Sequence, residues 1–233
     1  MGNQLRKERN MFNGICDNWI DDPELNNFDL MLLTFLQTFY ASDYVWNLKK
    51  DLSDYLFDGK KLKGNTLKAY NKSIERLIDL DYICCDSNGH YFKTRHMLEG
   101  ASSSFYTYVT FNNLYSIYHL DFKNKTSLLK TYLMVLKLMD CSKRASTKKC
   151  VYHLGIKSLC YECHISISTC SKHLNVLVDN NILYCSKKDN SFDGFNFYSR
   201  YEDRHICEEF IRKYNSYFYK NRETEEDTDF PIN

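Results

Sequence analysis

The chain has 233 residues, 43% hydrophobic and 26% charged, with 31 Lys or Arg against 30 Asp or Glu, a composition that can bury a core and excludes wholesale disorder. No apolar run reaches the roughly 18 residues that span a bilayer, and the opening Met-Gly-Asn-Gln-Leu-Arg-Lys-Glu-Arg is too polar for a secretory signal. The expectation is a cytoplasmic protein with no membrane association, and a prior of ~150 residues per domain leans towards two domains.

In chain order, residues 1–27 read as an N-terminal arm. Phe28, Leu32, Leu33, Phe35, Leu36 and Phe39 then recur at helical spacing and predict a buried helix. Tyr44-Val45-Trp46 is a strand-like run, followed by a second helix around Leu48, Leu52, Tyr55 and Leu56. After the loop 58–64 a third helix is predicted, with Asn65 or Thr66 as its cap and Leu67, Tyr70, Ile74, Leu77 and Ile78 on one face. Tyr82 to Asp86 and His90 to Thr94 flank Ser87-Asn88-Gly89, a hairpin signal because Asn-Gly tolerates positive φ.

Glu99 to Ser104 is small, polar and aperiodic, so residues 99–122 read as a linker with one aromatic-rich strand from Phe105 to Phe111 and a short helical turn at Leu114 to Leu120. The earlier order then returns. Leu128, Leu129, Tyr132, Leu133 and Leu136 predict a helix, Cys150-Val151-Tyr152 a strand, Ile156 to Cys163 and Ser166 to Asn180 two helices, and Leu183 to Ser186 with Phe195 to Ser199 a hairpin. At an offset of 100, Ile74 falls on Leu174, Leu77 on Leu177, Ile83 on Leu183 and Lys72 on Lys172. Two copies of one unit are the reading. A final amphipathic helix over 201–222 puts His205, Ile206, Phe210, Tyr214, Tyr217 and Phe218 near one side, and residues 223–233 form an acidic tail expected to be disordered.

Charge is unevenly spread. From Lys123 to Lys188 twelve Lys or Arg face three acids, whereas the first unit carries ten bases against nine acids. A net charge of +1 therefore conceals a basic segment able to meet phosphates.

The stretch from Leu159 to Leu183 holds Leu159, Cys160, Cys163, Ile165, Ser166, Cys170, Leu174, Leu177 and Leu183 at spacings that resemble the winged helix-turn-helix of bacterial regulators and of plasmid or phage replication proteins. In that family a Ser caps the recognition helix and a wing follows; His164 stands where the family often has Gly. The resemblance is strong over 125–200 and weaker over 28–95. It implies a mainly α fold with small β-hairpin wings (α+β), as two winged helix-turn-helix units in tandem (28–98 and 123–200) plus a C-terminal helix. The activity implied is sequence-specific binding of double-stranded DNA, with no enzymatic role, as a plasmid or phage type replication initiator. A transcription regulator that dimerises through the C-terminal helix on a promoter palindrome and a protein-docking module are the alternatives.

At 100° per residue Cys170, Leu174, Leu177 and Val178 share one face of the helix, and Ser168, Ser171, Lys172, Asn175 and Asp179 the other. Short donors and acceptors on that face suit base edges in a major groove about 12 Å wide, so Ser166, Ser168, Ser171, Lys172 and Asn175 are the candidate DNA-binding residues. Lys187 and Lys188 at the hairpin tip, and Lys148 and Lys149 with Lys143 and Arg144, are candidate phosphate contacts. The first unit offers Lys68, Asn71, Lys72, Glu75 and Arg76, either for weaker DNA contact or for docking. On composition alone an ordinary solvated helix face is the plainer reading of the Ser166–Asn175 set, and the helix-turn-helix spacing reverses that preference.

Cys160-x-x-Cys163 with Cys170-x-x-His173 has the ligand types of a zinc site, but these cysteines fall where the fold wants small apolar residues and His173 reads as a partly exposed helix residue. No cofactor or metal is expected. The chain carries no Gly-rich phosphate loop, His-x-His cluster or nucleophile elbow, and its 19 tyrosines read as core and strand residues.

Overall fold

The computed structural model describes residues 13–97, 106–145, 151–187 and 196–223. The protein is mainly helical with small antiparallel sheets, an α+β arrangement. It divides into two compact units, residues 1–133 and 134–233.

The first unit opens with β1 (Asn13–Cys16) and α1 (Asp17–Asp21) and continues with α2 (Asn27–Phe39), β2 (Tyr44–Val45), α3 (Leu48–Leu56), α4 (Gly64–Asp79), β3 (Ile83–Cys85) and β4 (Tyr91–Lys93). β5 (Tyr106–Val109) and α5 (Phe111–His119) follow. α6 (Lys125–Ala145) leads to β6 (Tyr152–Leu154), α7 (Ile156–Cys163), α8 (Ile167–Asp179), β7 (Leu183–Lys187) and β8 (Asn196–Arg200). A single 3-10 turn (Tyr201–Asp203) then enters α9 (Arg204–Glu223).

Two three-stranded antiparallel sheets have the same strand order. In one, β4 lies between β2 and β3; in the other, β8 lies between β6 and β7. Each follows a helix, strand, helix, helix, strand, strand order along the chain.

α2 is the core helix of the first unit. Asn26 caps it in a reciprocal box: its Oδ1 accepts from the amides of Phe28 (2.7 Å) and Asp29 (3.1 Å), and Asp29 Oδ2 accepts from the Asn26 amide (2.8 Å). Leu30 to Leu36 is buried throughout, so its polar members must be satisfied internally. Thr34 Oγ1 donates to the Leu30 carbonyl at 2.7 Å and Thr38 Oγ1 to that of Thr34 at 2.8 Å.

The arm and the joining stretch are both used. β1 pairs antiparallel with β5, and Thr107 Oγ1 donates to Asp17 Oδ1 at 2.7 Å inside the unit. Ile15, Trp19, Ile20, Leu114, Ile117 and Tyr118 are buried, which gives residues 13–21 and 106–119 an apolar reason to order.

Two local expectations are corrected, and one is made specific. α4 begins at Gly64, and neither Asn65 nor Thr66 caps it: Lys63 takes the cap position without a side-chain bond, and Gly64 accepts the φ of +54° that starts the turn. The expected hairpin forms between β3 and β4, with its positive φ on Gly89 at +81°, and Asp86 Oδ1 accepts from the amides of Asn88 (2.9 Å) and His90 (2.8 Å). β6 spans residues 152–154, shifted two residues along from the expected 150–152, because its register is set by pairing with β8.

In the second unit Val151, Phe197 and Cys207 form a small core against which Tyr184, Ile206, Phe210 and Ile211 pack, so α9 closes over the sheet. His205, expected on the apolar side, is exposed; Cys207 holds the buried place instead. Linker residues 99–104 and tail residues 224–233 lie outside the described residues.

Candidate functional site

The site is built on α7 and α8. α7 ends at His164, whose backbone takes the left-handed conformation at φ +54°, ψ +43°. The His164 amide donates to the Tyr161 carbonyl and the Ile165 amide to that of Cys160, both at 3.1 Å, which closes the last turn of α7. Ser166 restarts the chain as the cap of α8: its Oγ accepts from the Thr169 amide at 3.2 Å. Three residues, 164–166, therefore separate the two helices.

Burial sorts the two faces of α8. Cys170, His173, Leu174 and Leu177 point inward, whereas Ser168, Lys172, Asn175 and Asp179 are exposed and Ser171 and Val178 are half-buried. Ser166 is exposed too, but its hydroxyl is engaged locally, 3.0 Å from Ser168 Oγ and 2.9 Å from Thr169 Oγ1. It orders the helix start, and Ser168, Lys172 and Asn175 are left as the outward polar set.

His173 is 2% exposed, not partly exposed as the sequence suggested. It lies one residue before Leu174 and three after Cys170, both buried, so the apolar arc of α8 extends across it. Burial and the neighbouring Lys172 charge hold its imidazole below the ordinary histidine range. A neutral ring fits an inward position.

Cys160, Cys163 and Cys170 are buried together at the α7–α8 junction. Burial and a hydrogen bond with the Cys160 thiol push the Cys170 thiol far up, so it stays protonated at neutral pH. Thiols of this kind fill apolar space. Among the described residues no group of three or more His, Cys, Asp or Glu side chains is arranged to hold a metal ion.

Two exposed apolar residues at this end of the motif were not singled out from sequence: Tyr161, 77% exposed on α7, and Ile167, 49% exposed at the first position of α8. The missing signal was exposure itself. Both residue types read as core until the fold shows where they point.

Lys187 closes β7, while Lys188, Lys148 and Lys149 lie outside the described residues. In the first unit Lys68, Asn71, Lys72 and Glu75 are exposed along α4. Arg76, grouped with them in the sequence, is turned elsewhere: its Nη1 donates to Asp29 Oδ2 at 3.1 Å and to the Glu24 carbonyl at 3.4 Å. That guanidinium fastens α4 to the capped end of α2. The exposed face of α4 thus carries two lysines, an amide and a carboxylate.

No family model, curated protein or solved structure matches the chain. No helix among the described residues is long and apolar enough to cross a membrane.

Proposed function

We propose that the protein binds double-stranded DNA at a specific site through two winged helix-turn-helix units, with α8 as the principal reading helix. The observation that carries this reading is the α7–α8 pair: a three-residue turn, a Ser-capped second helix, and an exposed face of Ser168, Lys172 and Asn175 on a fully packed inner face. Asn bonds adenine in bidentate fashion, and Lys reaches guanine or a phosphate. The strand pair β7–β8, which begins four residues after α8, supplies the wing and carries Lys187.

Exposure of such a face is common on solvated helices. What favours recognition is the excess of base in the segment around it, twelve Lys or Arg against three acids from 123 to 188. α4 offers a weaker second contact through Lys68, Asn71 and Lys72, with Glu75 opposing phosphates.

Two units of unlike face chemistry in one chain favour directly repeated sites, the arrangement of a plasmid or phage type replication initiator, over the palindrome of a dimeric regulator. Selection of the full chain against a random duplex pool, followed by footprinting, tests the reading. A motif in direct repeat is the expected result, an inverted repeat moves the assignment to a transcription regulator, and an empty selection overturns DNA binding and leaves a protein-docking role.

A further inference from the structure

The first unit holds a feature that duplex binding does not use. β2 ends at Val45, which is buried, and the next residue, Trp46, is 65% exposed. Its ring is not a loose side chain. Tyr44 lies against it at 4.3 Å between centroids, His90 of the hairpin tip at 5.8 Å, and Phe92 backs Tyr44 at 4.6 Å. An indole held by two rings, one of them backed by a third, and still largely exposed is a preformed stacking surface, with little side-chain entropy left to lose.

Trp46 forms one wall of a groove of about 810 Å³, which also meets Tyr70 and Tyr91. Lys49, Lys50 and Lys61 line the same groove, with Asp54 as its one carboxylate. Asp54 pairs with Lys50 one helical turn away, so Lys49 and Lys61 supply the surplus positive charge. Lys61 also lines an adjoining depression of about 350 Å³, together with Lys60, Lys63, Lys125 and the carboxylate of Asp58, which pairs with Lys60 at 3.7 Å. An aromatic platform thus opens onto two adjoining depressions joined at Lys61, in each of which lysines outnumber the single carboxylate.

That chemistry is complementary to an unpaired nucleotide. A flat, weakly polar base can lie on the indole, and its phosphate can meet Lys49 and Lys61; a duplex cannot use the platform because its bases are already stacked. We infer that the Trp46 groove of the first unit is a binding site for an unstacked nucleotide, its base on Trp46 and its phosphate on the flanking lysines. Beyond Lys61 the second depression adds Lys63 and Lys125, places for a further phosphate, which favours a single strand over a free nucleotide as the source.

The test uses the full chain and its two tryptophans. Trp19 is 4% exposed, so quenching of the exposed emission reports Trp46. The chain is titrated with a twelve-residue oligothymidylate and, separately, with adenosine monophosphate. Quenching by the oligonucleotide alone supports a strand, and quenching by both at similar concentration supports a free nucleotide. By anisotropy of a labelled strand, Trp46→Ala weakens binding on the order of fivefold or more, Trp46→Phe recovers most of it, and Lys49→Ala with Lys61→Ala flattens its salt dependence. Quenching by neither ligand, or a Trp46→Ala variant that binds the strand as tightly as the parent, overturns the site. The inference goes beyond the duplex reading and fails separately from it: Lys172→Ala weakens duplex binding and leaves strand binding intact, and strand binding without any duplex binding removes the duplex reading only.

Discussion

Asp81 and Asn181, one hundred residues apart, hold the same left-handed backbone, at φ +58° and +56°. The bonds around them coincide as well. The Tyr82 amide donates to the Leu77 carbonyl at 2.8 Å and the Ile182 amide to that of Leu177 at 2.9 Å, while Asp81 and Asn181 both donate three residues back, to Ile78 and Val178, at 3.0 Å. Each is the left-handed residue that stops a helix and aims the chain into the first hairpin strand. Asp and Asn are among the few residues other than Gly that tolerate this conformation, through their short polar side chains.

Asn181→Gly is expected to keep or slightly raise stability, and Asn181→Val to lower it by about 1–2 kcal/mol, the usual penalty of a β-branched residue in this region. Urea unfolding followed by circular dichroism checks both. Equal stability of the Gly and Val variants would show that the left-handed stop is not needed there.

The Arg76–Asp29 contact leads to a second prediction. Asp29 is fully buried, and only part of its carboxylate is satisfied by the Asn26 amide. Arg76→Ala removes the guanidinium and leaves a buried charge short of a partner, which should cost about 1–3 kcal/mol of stability. Glu75→Ala, one position along and exposed, should stay within about 0.5 kcal/mol. Thermal melts of the two variants side by side distinguish a structural arginine from one held ready for phosphate.

These two relationships show where sequence reading succeeded and where it stopped. Helices announced by their own periodicity were legible: Ile156 to Cys163 forms α7 with those bounds, and α8 begins one residue after its Ser166 cap. The α2 helix was equally plain, because Leu30 to Leu36 is apolar enough to fill a core. Elements that exist only by pairing were not legible. β1 and α1 are short and need Thr107 and β5 from ninety residues away, and β6 takes its place from β8. The same limit applied to side chains. Arg76 looked like a member of the exposed α4 face until Asp29, 47 residues earlier in the chain, claimed it. His173 looked polar, yet sits on the apolar arc. Trp46 looked like a strand residue, whereas the strand stops before it and leaves the ring outside.

Lys93 provides a pH prediction. Its side chain is buried at the end of β4, where Nζ donates to the Tyr40 carbonyl at 2.7 Å. Burial pushes its pKa down from 10.5 to about 8, with the Asp43 charge opposing in part. Between these two values the unfolded chain holds the proton that the folded chain has released, so this residue's contribution to stability rises as pH climbs from about 8 toward 10.5. Buried thiols act in the opposite sense: Cys207, pushed up to about 12 by burial, favours the folded state below its unfolded value of 9.0 and loses that effect as pH rises. The comparison with Lys93→Met subtracts the thiols. Urea midpoints of the parent should gain on those of the variant from pH 7.5 to 9.5; a constant difference would show that Lys93 carries its proton unperturbed.

The outward face of α8 yields the prediction on which the functional reading rests. If Lys172 meets a phosphate, Lys172→Ala weakens duplex binding on every sequence alike and lowers the salt slope by about 0.9 for the lost contact. Lys187→Ala, at the end of β7, should behave in the same way. Asn175→Ala should act differently, relaxing preference at one base position by about 1–3 kcal/mol while changing affinity for unrelated DNA little. Ile167 adds a control on orientation. It stands exposed at the first position of α8, and on the proposed reading it would meet a thymine methyl, so Ile167→Ala should lower selectivity at a neighbouring position without altering the salt slope. Titrations at two salt concentrations, on the selected site and on single-base variants of it, separate the two kinds of effect. Uniform wild-type affinity and selectivity across Lys172→Ala, Asn175→Ala and Lys187→Ala would remove α8 as the reading helix, because a helix seated in a groove cannot lose both its phosphate anchor and its amide without consequence.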